Sequence, residues 1–550
     1  MGPPTSPATR ISSWGDFNFL PWYLLGDSHF SVASFQAYGE SPFSPFHLIL
    51  LHSVIKYVIP ANSPFPIDIL LDIFDFYRIN DLYSWNYLHG WLTLMHVSRK
   101  WRQCILDSPS RLQLTLCLRE ETPVLDMLTH FPPLPITLDY SFHENASDPE
   151  AESGVLAALG YVDRLHSITL DGPDGILHKL ALTMDEFIPT LTYLKLSTHS
   201  KSLNLPRAFL GGDAPNLRHL CLDGAYLPTL PSLLSSARFL TSLALRVPKN
   251  EHHSPGELAE CLHALLQLKD LSLNFLAFDP SSLINTESSH SGQQVSEQHF
   301  ILPQLEQFDY CGESRYLEVL VGGLRMPHLK HLDVRLFPRL TFTTPHLSRL
   351  IENSINLVRF SARIIFTSNF AVLHIHPPSD DDESGRRSGM RIIVSHERFD
   401  WQVHSMAQIC SGLSPVLSDD VRNLIFDHDL DKLPSNWQGE VDPSLWLALL
   451  APFRHVQNMW CSVALVEELG NALAAEVGDG SEADEVAAVV PELSMIITTW
   501  HRIRAQSDIP RRAFNRFLTL RRSAARPVLL EHYGGVFRVI HSHPPSSLKR

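Results

Sequence analysis

The stretch Leu217-Arg218-His219-Leu220-Cys221-Leu222 decides the fold, because its apolar-x-x-apolar-x-apolar pattern returns along most of the chain. It recurs as Leu165/Ile168/Leu170, Leu191/Leu194/Leu196, Leu240/Leu243/Leu245, Leu268/Leu271/Leu273, Leu305/Phe308/Tyr310, Leu329/Leu332/Val334 and Leu357/Phe360/Ala362. Successive copies begin 26, 26, 23, 28, 37, 24 and 28 residues apart. Weaker copies stand at Val421/Leu424/Phe426, Val456/Met459/Cys461 and Leu493/Ile496/Thr498. The last two apolar residues of a copy are two apart, so they share one side of a short strand. Between copies, stretches such as Pro231–Ala237 and Glu257–Leu266 carry apolar residues at helical spacing. One strand and one short helix cannot bury their own apolar faces; stacked neighbours can.

The expected fold class is therefore α/β, an irregular solenoid with a parallel sheet on one side. All but one of the spacings fall in the roughly 20–29 residue period of leucine-rich repeats. The repeats predict strands at Ile168–Leu170, Leu194–Leu196, Leu220–Leu222, Leu243–Leu245 and Leu271–Leu273, adjacent in chain order. The register is hard to follow between 362 and 421. Low-complexity insertions interrupt the array near 281–299, 377–389 and 478–485.

Working outward, the 550 residues are 44% hydrophobic and 19% charged, enough for a large core. With 44 basic against 59 acidic residues the formal net charge is −15, which argues against a general nucleic-acid binder. The seven cysteines are scattered, with no C-x-x-C, and fit a reducing compartment rather than a disulfide framework. No apolar run reaches the ~20 residues of a bilayer span. A protein of the cytoplasm or nucleus is expected, without membrane or nucleic-acid partners. Phosphate-loop, dinucleotide, zinc-protease and nucleophile-elbow motifs are all missing, so no enzyme and no cofactor are expected. His374 and His376 share one side of a strand, but neither carboxylates nor cysteines join them at metal spacing, and no metal is expected.

Ahead of the repeats lies Pro66-Ile67-Asp68-Ile69-Leu70-Leu71-Asp72-Ile73-Phe74-Asp75-Phe76-Tyr77. Asp68, Asp72 and Asp75 form one narrow polar stripe, and apolar residues cover the rest of the helix, which asks for burial on two sides. Trp91–Ile105 reads as a second helix, with Leu94, Val97, Trp101 and Ile105 on one stripe. The pair could be a solenoid cap or a docking module. The residues Pro66-x-x-Ile69-Leu70-Leu71-x-Ile73-Phe74, then Val97-Ser98-Arg99-x-Trp101-Arg102, resemble an F-box, with Phe65 where the family has Leu. The continuation through Ser108–Leu114 and Thr122–Val124 towards Tyr140 resembles the large fungal, basidiomycete-type set of F-box proteins with degenerate repeats.

That resemblance implies a three-helix module docking on the Skp-type adaptor of a cullin–RING ubiquitin ligase, with the repeats presenting a protein substrate. It implies adaptor contacts at Pro66, Ile67, Leu70, Leu71, Ile73, Phe74, Val97 and Trp101. The alternative is a non-catalytic repeat scaffold for protein–protein interaction, with the N-terminal helices only capping it. On the repeats, Lys195, Cys221, Ala244, Ser272 and Asp333 sit between inward-facing apolar residues and should face solvent as candidate substrate contacts. Arg502 to Arg526 holds eight arginines against Asp508. This reads as the outer face of a capping helix, or as a site for an acidic or phosphorylated peptide through Arg511, Arg512 and Arg516. The expected division is an N-terminal extension at 1–64, the F-box-like module at 65–112 and a lead-in at 113–160. The solenoid then covers 161–500, and the arginine-rich cap and tail 501–550.

Overall fold

In the computed structural model, the second and third apolar residues of the copies from Leu165 to Val334 lie on short strands and are buried. The structure describes residues 66–81, 94–95 and 98–533, apart from 113, 120–122, 132, 143–148, 199–202, 248–252, 276–299, 340, 355–360, 377–388, 429–440, 476–489 and 500–508. The extension at 1–64, the module's middle helix and the insertions at 281–299, 377–389 and 478–485 thus lie outside the described residues, Gly389 excepted. So do Val97, Arg502 and Arg504. The chain forms two compact units, residues 1–141 with 145–168, and residues 142–144 with 169–550.

In the N-terminal unit, α1 (Ile67–Asp81) opens behind Pro66 with Asp68 in its first turn, where a carboxylate meets the positive end of the helix dipole. The expected single helix across 91–105 is interrupted. Ser98 is extended (φ −158°, ψ 162°) and its Oγ accepts from the Trp101 N–H at 3.1 Å. That cap satisfies an otherwise orphaned donor, so α2 (Arg99–Asp107) starts afresh there. Leu70, Leu71 and Phe74 of α1 are buried, and the Phe74 ring lies 4.9 Å from that of Trp101. Then follow β1 (Leu116–Leu118), α3 (Val124–His130), β2 (Ile136–Ser141) and α4 (Pro149–Leu159). β1 and β2 are parallel, with Leu116 opposite Ile136. The segment expected as a lead-in thus holds two strand–helix coils of its own. The units part within β3 (Leu165–Gly172).

In the C-terminal unit, β4 (Tyr193–Thr198), β5 (His219–Asp223), β6 (Ser242–Val247), β7 (Asp270–Phe275), β8 (Gln307–Gly312) and β9 (His331–Leu336) pair parallel in chain order. Leu194, Leu220, Leu243, Leu271, Phe308 and Leu332 form one row across them, all buried. Each such side chain contributes about 1.5–3 kcal/mol. The turns before the strands are tied as well: Arg218 N–H donates to Thr192 O, Thr241 N–H to Arg218 O and Lys269 N–H to Thr241 O, each at 2.8 Å. Helices α5 (Asp174–Leu182), α6 (Leu230–Ser236), α7 (Pro255–His263), α8 (Ser314–Gly322) and α9 (Pro345–Glu352) lie between strands along the chain. Glu318 of α8 accepts from the first N–H groups of α9, those of His346 and Leu347, at 2.8 and 3.0 Å.

The expectation of a purely parallel sheet needs one correction. After α9 the chain forms β10 (Ser361–Phe366), β11 (Phe370–His376) and β12 (Gly389–Ser395), with β11 antiparallel to both neighbours. β12, not β10, lies beside β9, placing Leu332 opposite Met390, while β10 pairs parallel with β13 (Asn423–His428). This reversal is why the repeat register is lost between 362 and 421. Beyond it the weak copies form regular coils. β13, β14 (Asn458–Ser462), β15 (Met495–Thr499) and β16 (Leu529–Tyr533) are parallel in chain order. Their helices are α10 (Phe399–Gly412), α11 (Ser414–Asp420), α12 (Pro443–Leu450), α13 (Val466–Ala475) and α14 (Ile509–Ser523). Among the described residues no helix is long and apolar enough to cross a membrane.

Candidate protein-interaction surfaces

The first surface lies on α1. Leu70, Leu71 and Phe74 are buried, with Phe74 on Trp101, whereas Ile67 is 57% and Ile69 45% exposed, Ile73 is half-buried and Pro66 is exposed. Arg111 holds Asp72 at 2.5 Å and Asp68 at 3.4 Å across the helix surface. Of the residues that the F-box resemblance assigns to contact, Leu70, Leu71, Phe74 and Trp101 are therefore interior. Pro66, Ile67 and Ile73 are the ones a partner can reach. Ile69, which carries the resemblance without being assigned a contact, joins them.

The second surface is the side of the C-terminal sheet opposite the leucine rows. Strand alternation places Lys195, Cys221, Ala244 and Ser272 in one register row, continued by Asp309, Asp333 and Arg391. All seven are half-buried. Sequence reasoning named five of them. Asp309 belongs to a copy it recognised, whereas Arg391 stands on a strand whose place only the reversal sets. Charge pairs brace the face, among them Arg246 with Asp223 at 3.0 Å and Arg391 with Asp333 at 3.5 Å. Exposed pairs of this kind contribute ~0–1 kcal/mol, so their effect is more on register and partner choice than on stability.

Past the reversal the same row continues as His374, Arg363, Ile425, Trp460 and Ile497. The row thus turns apolar over Ile425, Trp460 and Ile497 before ending at Glu531. Arg363 is paired with Asp427 of β13. His374 has Arg391 opposite it on one side and Arg363 on the other, cationic neighbours unsuited to a metal ion.

Asp309 is the strained member of the row. Burial raises its pKa above the usual aspartate range, and the charges of Asp333 and Asp270 add to this, against a lowering hydrogen bond from Gln307 Nε2 at 2.8 Å. A carboxyl raised in the folded state costs stability once ionised, and the cost is relieved as pH falls through the raised value to the ordinary one. Asp309→Asn is therefore expected to raise Tm at neutral pH. The gap to the parent should close below the ordinary aspartate range, and thermal melts across pH check this. Burial likewise raises the Cys221 and Cys311 thiols above the ordinary cysteine range.

The arginine-rich segment divides in two. Pro510, Phe514, Phe517 and Arg521 form the buried side of α14, whereas Arg511, Arg512 and Arg516 are exposed. Arg521 is structural: its guanidinium donates to Leu493 O at 2.8 Å and Pro491 O at 3.3 Å, and burial holds its pKa down.

No protein-family model matches the sequence, and no curated protein matches it. Among solved structures, the leucine-rich repeat-containing protein LegL7 from Legionella pneumophila is similar over 68% of this chain and 96% of its own, at 12% identity and a TM-score of 0.23. At that score the likeness adds nothing to the register described above.

Proposed function

We propose that the protein is a non-catalytic substrate-recognition adaptor. Its N-terminal helices dock on the Skp-type adaptor of a cullin–RING ubiquitin ligase, and its repeat sheet presents a protein substrate. The observation that carries the docking half is the exposure of Ile67 and Ile69 in the first turn of a helix that buries Phe74 against Trp101. Together with exposed Pro66 they offer a partner apolar surface around the start of the helix. In this reading Pro66, Ile67, Ile69 and Ile73 touch the adaptor, while Leu70, Leu71, Phe74 and Trp101 act as positioning residues behind them.

The substrate half is supported by the mixed row Lys195, Cys221, Ala244, Ser272 and Asp333, whose varied chemistry suits a shaped protein surface better than a polyanion. Exposed Arg511, Arg512 and Arg516 offer an electrostatic contact for an acidic or phosphorylated segment. A site in the cytoplasm or nucleus accords with this role.

Purified full-length protein mixed with a Skp-type adaptor tests the reading. Ile67→Asp combined with Ile69→Asp is expected to weaken capture by about a hundredfold or more, from two apolar contacts of ~1.5–3 kcal/mol each. Hydrogen-exchange protection of the α2 amides should stay unchanged. Capture by the doubly substituted chain at parental strength would leave the repeat scaffold alone, with its N-terminal helices as a cap.

A further inference from the structure

A groove of about 460 Å³ in the C-terminal unit, away from the open sheet face, has a chemistry of its own. One wall is a short parallel ladder, Phe300–Ile301 with Leu324–Arg325, in which Ile301 stands opposite Arg325. Alternation sends Leu324 inward and Arg325 outward, and Ile301 remains 48% exposed. The other wall is α9. Leu347, Leu350 and Ile351 are its buried side, leaving Arg349 and Asn353, one turn apart, exposed at the groove. Met326 and Leu350 make part of an apolar floor.

Among the described residues the lining contains two guanidiniums and no carboxylate. The nearby Glu318 carboxylate is committed to the His346 and Leu347 N–H groups beneath the helix start. Glu318 feels the charge of Arg349, yet neither guanidinium is ion-paired with a carboxylate among the described residues, and the chain's net charge of −15 turns away indiscriminate polyanions. A ligand that satisfies the groove must bring carboxylates to the rim and a branched apolar group to Ile301, Met326 and Leu350.

We propose that this groove binds an extended peptide segment of a protein partner in which acidic residues alternate with bulky apolar ones. An extended strand sends successive side chains to opposite sides, which delivers carboxylates to the arginines and apolar groups to the floor. The proposal needs no docking on a ubiquitin-ligase adaptor, and its test contains none, so the two readings fail independently.

The probe is a fluorescein-labelled peptide of alternating aspartate and leucine, titrated against the full-length chain by anisotropy at low salt. Arg325→Glu with Arg349→Glu is expected to weaken binding about tenfold or more, since hydrogen bonds to charged groups are the strong ones even when partly exposed. Ile301→Ser should cost about threefold, and added salt should weaken binding steadily. Both variants change exposed side chains, and an unchanged melting temperature verifies their fold. The proposal is overturned by an absence of binding, by equal binding to the doubly substituted chain, or by equal binding of an asparagine–leucine peptide. Equal binding of an all-aspartate peptide would also overturn it, reducing the groove to a general anion patch.

Discussion

Leu70→Asp is expected to dissolve the α1–α2 pair while the repeat strands stay folded. Leu70 has no exposed surface and Phe74 packs on Trp101 behind it. The substitution removes ~1.5–3 kcal/mol of apolar burial and places a carboxylate where water does not reach, at a further cost of a few kcal/mol. A two-helix contact of this size cannot absorb that loss. Phe74→Asp should act in the same way. Hydrogen exchange read by mass spectrometry separates the outcomes: the amides of Arg99–Asp107 should lose protection, whereas those of His219–Asp223, in the other unit, should keep it. Under the proposed function, adaptor capture would disappear in both variants as well, but through loss of the module. The contact itself is tested only by Ile67 and Ile69. Undiminished protection in α2 with Asp at position 70 would mean that Leu70 is not the keystone its burial implies.

Gly470→Leu should release α14 from the end of the array. A Cβ at position 470 would stand 2.7 Å from Ala513 O and 2.9 Å from Ala513 Cβ, so α13 and α14 meet with no room for a side chain. The obstacle is backbone, which cannot rotate away, and overpacking of this kind costs ~1–3 kcal/mol or more. Gly470→Ala meets the same clash with its Cβ alone, so its effect should be smaller. Trypsin supplies the readout, because Arg511, Arg512, Arg516, Arg521 and Arg522 all lie in α14. Cleavage there should quicken by about tenfold or more in the leucine variant, as the open population rises with the lost stability. Parental cleavage rates would show that the two helices separate without cost.

Much of this was legible in the residues. The leucine rows identified which side of each strand is buried, and the period identified which strands are neighbours from β4 to β9. The same alternation placed Lys195, Cys221, Ala244, Ser272 and Asp333 on the open face, because a one-residue shift would turn every leucine to solvent. Even the strands at Leu116–Leu118 and Ile136–Ser141 carry the signal, in Leu114/Leu116/Leu118 and Ile136/Leu138/Tyr140. The initial apolar residue of the repeat is displaced there, so the full pattern is broken.

Three features were decided elsewhere. β10, β11 and β12 are all rich in Ile, Val and Leu, and nothing local says which one takes the place beside β9; the chain reversal awards it to β12. The reversal also governs what shares a row with Arg391, and so brings Ile425, Trp460 and Ile497 onto the candidate face. On α1, apolar residues surround most of the helix, and only the position of Trp101 makes Leu70 interior and leaves Ile67 exposed. Within the arginine cluster, Arg521 is chemically indistinguishable from Arg522 until Pro491 and Leu493 present their carbonyls to it. By itself, then, the sequence determined the repeating unit and its inward side, because these follow from side-chain alternation over a few residues. Which strand fills which slot, and which of two equal side chains is covered, depended on groups tens of residues away, and only the tertiary structure brought those together.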